Sequence, residues 1–417
     1  MPRRFWVETL GCPKNQVDSD KLTGTLVADG LVPAAAPDDA DLVVVNTCAF
    51  IEDARQESID TILAMAGARK DGARLVVTGC LAERSGPELA EALPEIDAVA
   101  GFADAVPVTL GRKSAGSAGA LPPMDLLHLA RPKASAPWAY VKIAEGCDRA
   151  CGFCAIPSFR GKQRSRAIDD ILAEVDALEA REIVLVAQDL ASFGRDQGRG
   201  ERAIVPLIEA VAARVARVRL LYLYPSDLTD RLEDAICATG VPYFDLSLQH
   251  VSAPLLRRMR RWGDGERFLA RMRRIRLQEP AAAFRSNFIV GYPGETEDDH
   301  DALLGFVDEA QLDWCGFFAY SEEEGTYAAT LDDKVDRGLV DERLAELRER
   351  QEAITWARRD ELVGTRVEVL VDEPGVARSH REAPEIDGVI LVPDTLVPGS
   401  FASLTVTAAL GPDLTAS

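Results

Sequence analysis

Cys147, Cys151 and Cys154 form a Cys-x3-Cys-x2-Cys run directly after the apolar stretch Tyr140-Val141-Lys142-Ile143-Ala144. Three thiolates at this spacing can cap three corners of one [4Fe–4S] cube. The fourth iron is then left without a protein ligand, free to bind and reduce a small molecule. A structural zinc site would need a fourth Cys or His close by, and none follows in the local segment. Bacterial ferredoxin runs supply four cysteines at a different spacing. The competing reading is a zinc knuckle or a stray cluster of cysteines.

A second set is dispersed. Cys12 follows Phe5-Trp6-Val7-Glu8-Thr9-Leu10-Gly11, Cys48 follows Leu42-Val43-Val44-Val45-Asn46-Thr47, and Cys80 follows Leu75-Val76-Val77-Thr78-Gly79. Each preceding run reads as a strand (Arg4–Leu10, Asp41–Thr47 and Arg74–Thr78), and short, almost wholly apolar runs suit a buried parallel sheet. Helical patterns over Val17–Ala28, Glu52–Ala66 and Pro87–Leu93 separate them, which predicts an α/β layer structure. The carboxyl ends of parallel strands share one edge, where ligands bind. The three cysteines are therefore expected to converge as a second three-cysteine iron–sulfur site, again one ligand short. Against this stands the commonness of ordinary buried cysteines.

The elements that must carry the first triad come next. From Trp138 onward the strand–helix alternation resumes, with strands expected at Tyr140–Ala144, Ile183–Ala187, Val218–Tyr224, Phe244–Leu248, Ser286–Val290 and Gly316–Ala319. Helices are expected between them, for example Ile168–Ala180 and Ala302–Ala310. Six βα units predict a partial TIM-like barrel whose chemistry lies at the carboxyl ends of its strands, and Cys147 falls just past the first. Leu339–Val363 reads as one long charged helix. Short alternating runs follow at Arg366–Val371, Gly388–Leu391 and Leu404–Thr407, as expected of a small antiparallel β-barrel. The fold class is thus multidomain α/β, with an N-terminal parallel-sheet domain (residues 1–105), a linker (106–136) rich in Gly, Ser and Pro, a barrel (137–350) and a C-terminal β module (351–417).

The 417 residues carry 47% hydrophobic content and eight cysteines, too few for a disulfide scaffold and suited to a reducing compartment. Glu8 interrupts the N-terminus, so it does not read as a signal peptide, and no stretch approaches the ~18 apolar residues of a membrane span. A soluble, cytoplasmic protein is expected, without a membrane partner. The net charge is −21. A surface of that sign repels free nucleic acid and attracts a basic protein. From Glu361 onward nine acids oppose three arginines, so the β module is not built to grip RNA. The exception is Arg257–Arg276, with nine arginines against Asp264 and Glu266. It reads as a solvated helix face paired with acidic neighbours, or else as an RNA contact.

Taken together, three N-terminal strand-end cysteines, the Cys-x3-Cys-x2-Cys run and the terminal β module resemble the methylthiotransferase family of radical S-adenosylmethionine (SAM) enzymes, over nearly the whole chain. Leu10-Gly11-Cys12-Pro13-Lys14-Asn15, Lys142-Ile143-Ala144-Glu145-Gly146-Cys147, Ile156-Pro157-Ser158-Phe159-Arg160-Gly161-Lys162 and the segment Arg378–Gly388 resemble the branch that modifies ribosomal protein uS12. The resemblance implies a TRAM-like C-terminal domain, two [4Fe–4S] clusters and SAM as cofactors, and uS12 as partner, with no tRNA expected. The sequence does not indicate the sulfur or electron donor. The resemblance further implies that Cys147, Cys151 and Cys154 hold the cluster that cleaves SAM, giving a 5′-deoxyadenosyl radical that takes a hydrogen from the β-carbon of an aspartate. Cys12, Cys48 and Cys80 then hold the auxiliary cluster that presents the sulfur, and a second SAM supplies the methyl group.

By the same resemblance Phe153 lies near the adenine of SAM, and Gln188, Ser247, Gln249, Ile289 and Gly291 line its pocket. Ala187 stands where relatives often carry Gly, which puts a backbone contact there in doubt. Gly291 also reads simply as a turn residue. Cys237 and Cys315 are expected in the core, and His250 is the one histidine at a strand end. The competing functions are a tRNA methylthiotransferase, a non-catalytic iron–sulfur carrier and a zinc-binding RNA module.

Overall fold

The computed structural model describes residues 2–101, 126–198 and 203–417. These fall into two compact units, one of Met1–Pro132 with Glu145–Asp148 and Cys154–Arg166, the other of Lys133–Ala144, Arg149–Phe153 and Ala167–Ser417.

The first unit is built on a five-stranded parallel sheet of β1 (Arg4–Thr9), β2 (Val32–Pro33), β3 (Leu42–Thr47), β4 (Arg74–Gly79) and β5 (Ala98–Val99), in the order 2-1-3-4-5. Helices α1 (Pro13–Ala28), α2 (Glu52–Ala68) and α3 (Cys80–Ala92) connect them. Every residue of β3 is buried, because both faces of the sheet are covered. Val43 and Val45 pack with Ile62 and Leu81, while Leu42 and Val44 pack with Leu22 and Leu26. Each such side chain contributes roughly 1.5–3 kcal/mol. Helix α3 begins seven residues before the expected start, at Cys80, and bends at Ser85, whose backbone is not helical. Pro87 hid this, since proline inside a helical pattern reads as a boundary. Of the expected linker, residues 102–125 lie outside the described residues. Leu126 and Leu127 are buried in this unit, and the Leu127 carbonyl accepts from the buried Lys21 ammonium at 2.7 Å.

In the second unit β6 (Trp138–Lys142) is the first barrel strand; the short β7 (Ala144–Glu145) and β8 (Arg164–Ser165), the latter within the first unit, flank the cysteine loop in sequence. Strands β9 (Glu182–Val186) and β10 (Arg217–Leu220) join β6 in one parallel sheet, and β11 (Tyr243–Gln249), β12 (Ala283–Val290) and β13 (Trp314–Ala319) form another. A parallel bridge between Leu223 and Leu246 links the two. Among the described residues no pairing joins β13 back to β6, so the barrel is open, as the six βα units predict. Its helices include α5 (Ile168–Leu178), α6 (Ile204–Ala212), α7 (Asp230–Ala238), α8 (Ala253–Arg258), α9 (Gly265–Gln278) and α10 (Glu297–Ala310). The helix α11 (Arg337–Asp360) runs unbroken through residue 350.

The C-terminal strands β14 (Arg366–Glu373), β15 (Val376–Arg378), β16 (Ile390–Leu391), β17 (Phe401–Leu410) and β18 (Asp413–Ala416) close into a barrel in the order 14-15-16-18-17. All its pairs are antiparallel except β16 with β18. The segment from Arg378 to Asp387 docks onto the amino ends of the large barrel's strands. Tyr140 Oη donates to the Pro384 carbonyl at 2.8 Å, Trp314 Nε1 to the Arg381 carbonyl at 2.7 Å, and Tyr243 Oη to Asp387 Oδ2 at 2.6 Å. Arg219 donates to the His380 carbonyl at 2.9 Å. At the centre the Glu182 carboxylate, wholly buried, accepts from Arg219 Nε at 2.8 Å and from Arg378 Nη1 at 3.2 Å.

Candidate active site

Two cysteine sets remain to be placed. Cys12 caps the start of α1, Cys48 directly follows β3, and Cys80 opens α3. Strands β1, β3 and β4 are direct neighbours in register, Thr9 beside Asn46 and Asn46 beside Thr78. The convergence expected from the strand ends is therefore present. Gly11 and Gly79 make it possible. Both have φ near +90°, and a Cβ at Gly11 would lie 2.9 Å from Cys48 Sγ, while one at Gly79 would strike Asn46 Oδ1 and the Thr47 backbone.

The three thiols feel one another. Burial, then the charges of Cys12 and Cys80, push the Cys48 pKa up to about 12. Burial also raises Cys80, against the opposing pull of the Arg160 guanidinium. For Cys12 burial is outweighed by Lys14, by the Asn15 and Lys14 backbone N–H groups and by Arg160, so its pKa falls below the ordinary thiol value. The positive end of α1 works the same way. Bringing three thiolates together without a metal is thus costly, and iron would remove that cost by replacing the protons.

Sequence reasoning missed two residues that hold this arrangement. Asn15 is buried; its Nδ2 donates to the carbonyls of Leu10 at 2.9 Å and Thr47 at 3.0 Å, tying the ends of β1 and β3 together. Arg160, at the end of α4 (Ile156–Arg160), donates to Asn15 Oδ1 at 2.8 Å and Cys80 Sγ at 3.0 Å. Both lie in motifs quoted above, but nothing in those motifs marks them as partners of Cys80.

The second set sits in the loop beyond β7. Cys147 and Cys154 belong to the first unit and Cys151 to the second. Cys151 Sγ accepts from Arg261 Nη1 at 3.3 Å; Arg261 also donates to the Ser247 carbonyl and lies 4.2 Å above the Tyr224 ring. Within the second unit Arg149 donates to Asp189 Oδ2 at 2.6 Å, binds Asp227 and also lies over Tyr224, 3.9 Å from its ring centre. The Gly152 N–H donates to the Met259 carbonyl at 2.8 Å. Arg261 was not anticipated, since it looked like one charge of a basic helix.

Of the residues assigned to SAM, Phe153 packs against the barrel core. Gln188 lies two residues beyond the end of β9, and Ser247 and Gln249 lie at the end of β11. These three and Ile289 are only partly buried, while Leu248, Phe288 and Val290 between or beside them are buried. That alternation gives the first group one face of the strands and the core the other. Gly291 has φ +80°, its N–H donates to Glu295 Oε2 at 2.6 Å, and a Cβ there would strike Val340. These are a turn residue's contacts. His250 is buried, and its Nδ1 accepts from the Ser252 N–H at 3.1 Å; burial lowers its pKa to about 4. Cys237 and Cys315 pack against the barrel core.

Among the described residues no three His, Cys, Asp or Glu side chains close on a single-ion centre. Thiolates around a cube stand further apart than those around one zinc, where Zn–S bonds are about 2.3 Å. The basic helix is largely paired. Arg271 and Arg274 share the buried Glu233, Arg273 pairs with Glu309, and Arg276 donates to the carbonyls of Ala310 and Gln311 at 2.7 Å each.

Residues 4–101 match the uncharacterized protein family UPF0004, residues 141–307 the radical SAM superfamily and residues 363–417 the TRAM domain. A relative from Frankia casuarinae, named ribosomal protein uS12 methylthiotransferase RimO, is 42% identical over 96% of this chain and 86% of its own. One of the same name from Nocardioides is 42% identical over 93% of this chain and 91% of its own. Another from Myxococcus xanthus is 41% identical over 100% and 91%. The chain belongs to the RimO family. Its three matched segments correspond to the sheet domain, the open barrel and the small closed barrel. Among the described residues no helix is long and apolar enough to cross a membrane.

Proposed function

We infer that the chain is a radical SAM methylthiotransferase that places a methylthio group on the β-carbon of an aspartate of ribosomal protein uS12, using one SAM to generate the radical and another as methyl donor. The observation that carries this is one chain holding both cysteine triads, aligned along its length with relatives of that activity. The chain uses SAM and an iron–sulfur cluster; we assign two clusters, one on Cys147, Cys151 and Cys154 and an auxiliary one on Cys12, Cys48 and Cys80. Bound there, the clusters supply an electron to SAM and a sulfur to the substrate, chemistry that an unactivated C–H bond requires because no general base removes its proton.

The residues of the chain orient and shield. Arg149 and Arg261 fix the cysteine loop, and Phe153 lies against the adenine. Gln188, Ser247, Gln249 and Ile289 line the SAM pocket, and Gly291 shapes its floor through the turn at the end of β12. Asn15 holds the strand ends beneath the auxiliary site. We take residues 1–105 as the auxiliary-cluster domain and place the junction between barrel and β module at the end of α11.

The substrate is a basic protein, and an acidic surface suits it. Three of the nine acids from Glu361 onward, however, are spent internally: Asp372 on Arg378, Glu382 on Arg359 and Asp387 on Arg285. The six that remain are the surface we assign to uS12, and no tRNA is expected to bind. Modification of a ribosomal protein puts the enzyme in the cytoplasm. The test is an anaerobic reaction of reconstituted protein with SAM, sulfide and reductant, offering uS12 and tRNA separately. Mass spectrometry should find one hydrogen of a uS12 aspartate replaced by SCH3; modification of tRNA alone would overturn the assignment.

A further inference from the structure

Arg160 is a buried cation, and the following rests on the auxiliary-cluster reading just given. The polar contacts of its guanidinium within the first unit include Cys80 Sγ at 3.0 Å, Asn15 Oδ1 at 2.8 Å, Glu145 Oε1 at 3.0 Å and Asp18 Oδ2 at 3.3 Å. A buried arginine is stable only among acceptors, and two carboxylates would have sufficed. The same Nη2 that bonds Asn15 instead reaches the cysteine sulfur. Asn15 in turn holds β1 and β3 beneath Cys12 and Cys48, so one planar fork is fixed to the same frame as all three cysteines.

We propose that Arg160 is a positioning residue of the auxiliary site: it donates a hydrogen bond to the ligating sulfur of Cys80, offsets the charge of the thiolate array and raises the reduction potential of the cluster held there. Hydrogen bonds to the ligating sulfurs and the local charge are the levers by which a protein sets such a potential. Placement in sequence adds a second role. Arg160 lies six residues beyond Cys154, a stretch that spans at most about 20 Å when extended. Its last five residues are the helix α4, so the true reach is shorter. The segment that carries a ligand of the radical-generating site therefore also carries the cation of the auxiliary site, and it sets the distance of that cation from Cys154.

The test uses the full chain with Cys147, Cys151 and Cys154 replaced by alanine, reconstituted with iron and sulfide so that only the auxiliary site loads. The readouts are iron content and an EPR-monitored redox titration. Arg160→Met is combined with Asp18→Asn to keep the buried charge balanced. This variant should reduce at a lower potential, by tenfold or more in the equilibrium constant, which is about 59 mV for one electron. Arg160→Lys, which keeps the charge but not the fork, should lie between it and the parent. It also supplies the measurement if the double variant does not fold. A merely structural Arg160 would change thermal unfolding and leave the midpoint alone, so an unchanged midpoint in an iron-loaded variant overturns the proposal. A parent that takes up no iron would refute the cluster reading itself, and this proposal with it.

Discussion

Glu182→Gln offers a quantitative trial of the way the C-terminal segment is joined to the barrel. Glu182 opens β9, and its carboxylate lies among Arg217, Arg219 and Arg378 with no exposed surface. Burial opposes its ionisation, but Arg378, Arg219 and Arg217 outweigh that and hold the carboxyl below its ordinary value. Glutamine keeps the shape and removes the charge. Arg378 retains Asp372, and Arg217 retains the carbonyls of Arg378 at 3.0 Å and Glu368 at 2.9 Å, with the exposed Glu368 carboxylate at 3.5 Å as its remaining anion. Arg219 would be left with backbone carbonyls and the face of Tyr243, 4.5 Å away. Removing one partner of a buried ion pair costs about 3–5 kcal/mol. At roughly 2–4 °C per kcal/mol for a domain of this size, the barrel transition should fall by roughly 6–20 °C. Differential scanning calorimetry of the reconstituted protein reads this directly, with Glu368→Gln as the exposed control at under about 1 kcal/mol. A Glu182→Gln transition within a degree of the parent would refute the claim that this network holds the segment in place.

Replacing Cys147, Cys151 and Cys154 together by alanine should halve the iron and abolish SAM cleavage, whereas replacing Cys12, Cys48 and Cys80 should halve the iron and spare cleavage; equal loss of cleavage from both would break the division of labour. Arg261→Met should slow reductive SAM cleavage while leaving the iron in place, and an unchanged rate would show that the donor on Cys151 is idle. Burial lifts the Asp387 carboxyl to about 6 in spite of Arg285 and the Tyr243 hydroxyl. The folded state therefore binds a proton more tightly than the unfolded one, so stability should fall by about 3 kcal/mol as pH rises from about 4 to 6. Asp387→Asn should flatten that slope, and an unaltered profile in denaturant titrations would count against it. Arg271→Ala with Arg274→Ala strands the buried Glu233 and should cost about 1–3 kcal/mol without changing retention on an RNA column; weakened retention would make this helix an RNA contact.

How far the sequence reaches can be judged from particular residues. The three N-terminal strands and their cysteines were legible because Leu42–Val45 and Leu75–Val77 are apolar without interruption, and only a sheet covered on both faces has that pattern. The barrel strands were legible by alternation with helices, though Val218–Tyr224 proved to be a strand only to Leu220, since Tyr222 takes a positive φ. Strands β15 and β18, of three and four residues, are too short to show a period. Arg160, Asn15 and Arg261 were not legible as site residues. Their roles depend on partners far away in the chain, 80 residues for Arg160 and Cys80 and 110 for Arg261 and Cys151. A charge count likewise could not separate the acids after Glu361 that face solvent from those spent on buried arginines.

The pairing of Glu182 with Arg378 spans 196 residues, and this bears on when the enzyme becomes whole. At about 5–20 residues per second of synthesis, Glu182 and its neighbouring arginines wait roughly 10–40 s for the segment that completes them. Until then the barrel's floor is an open, charged mouth that cannot be sealed from within. Synthesis must therefore pass Arg378 before the chain is a folded enzyme, and a chain stopped short of it would present that mouth to chaperones and proteases.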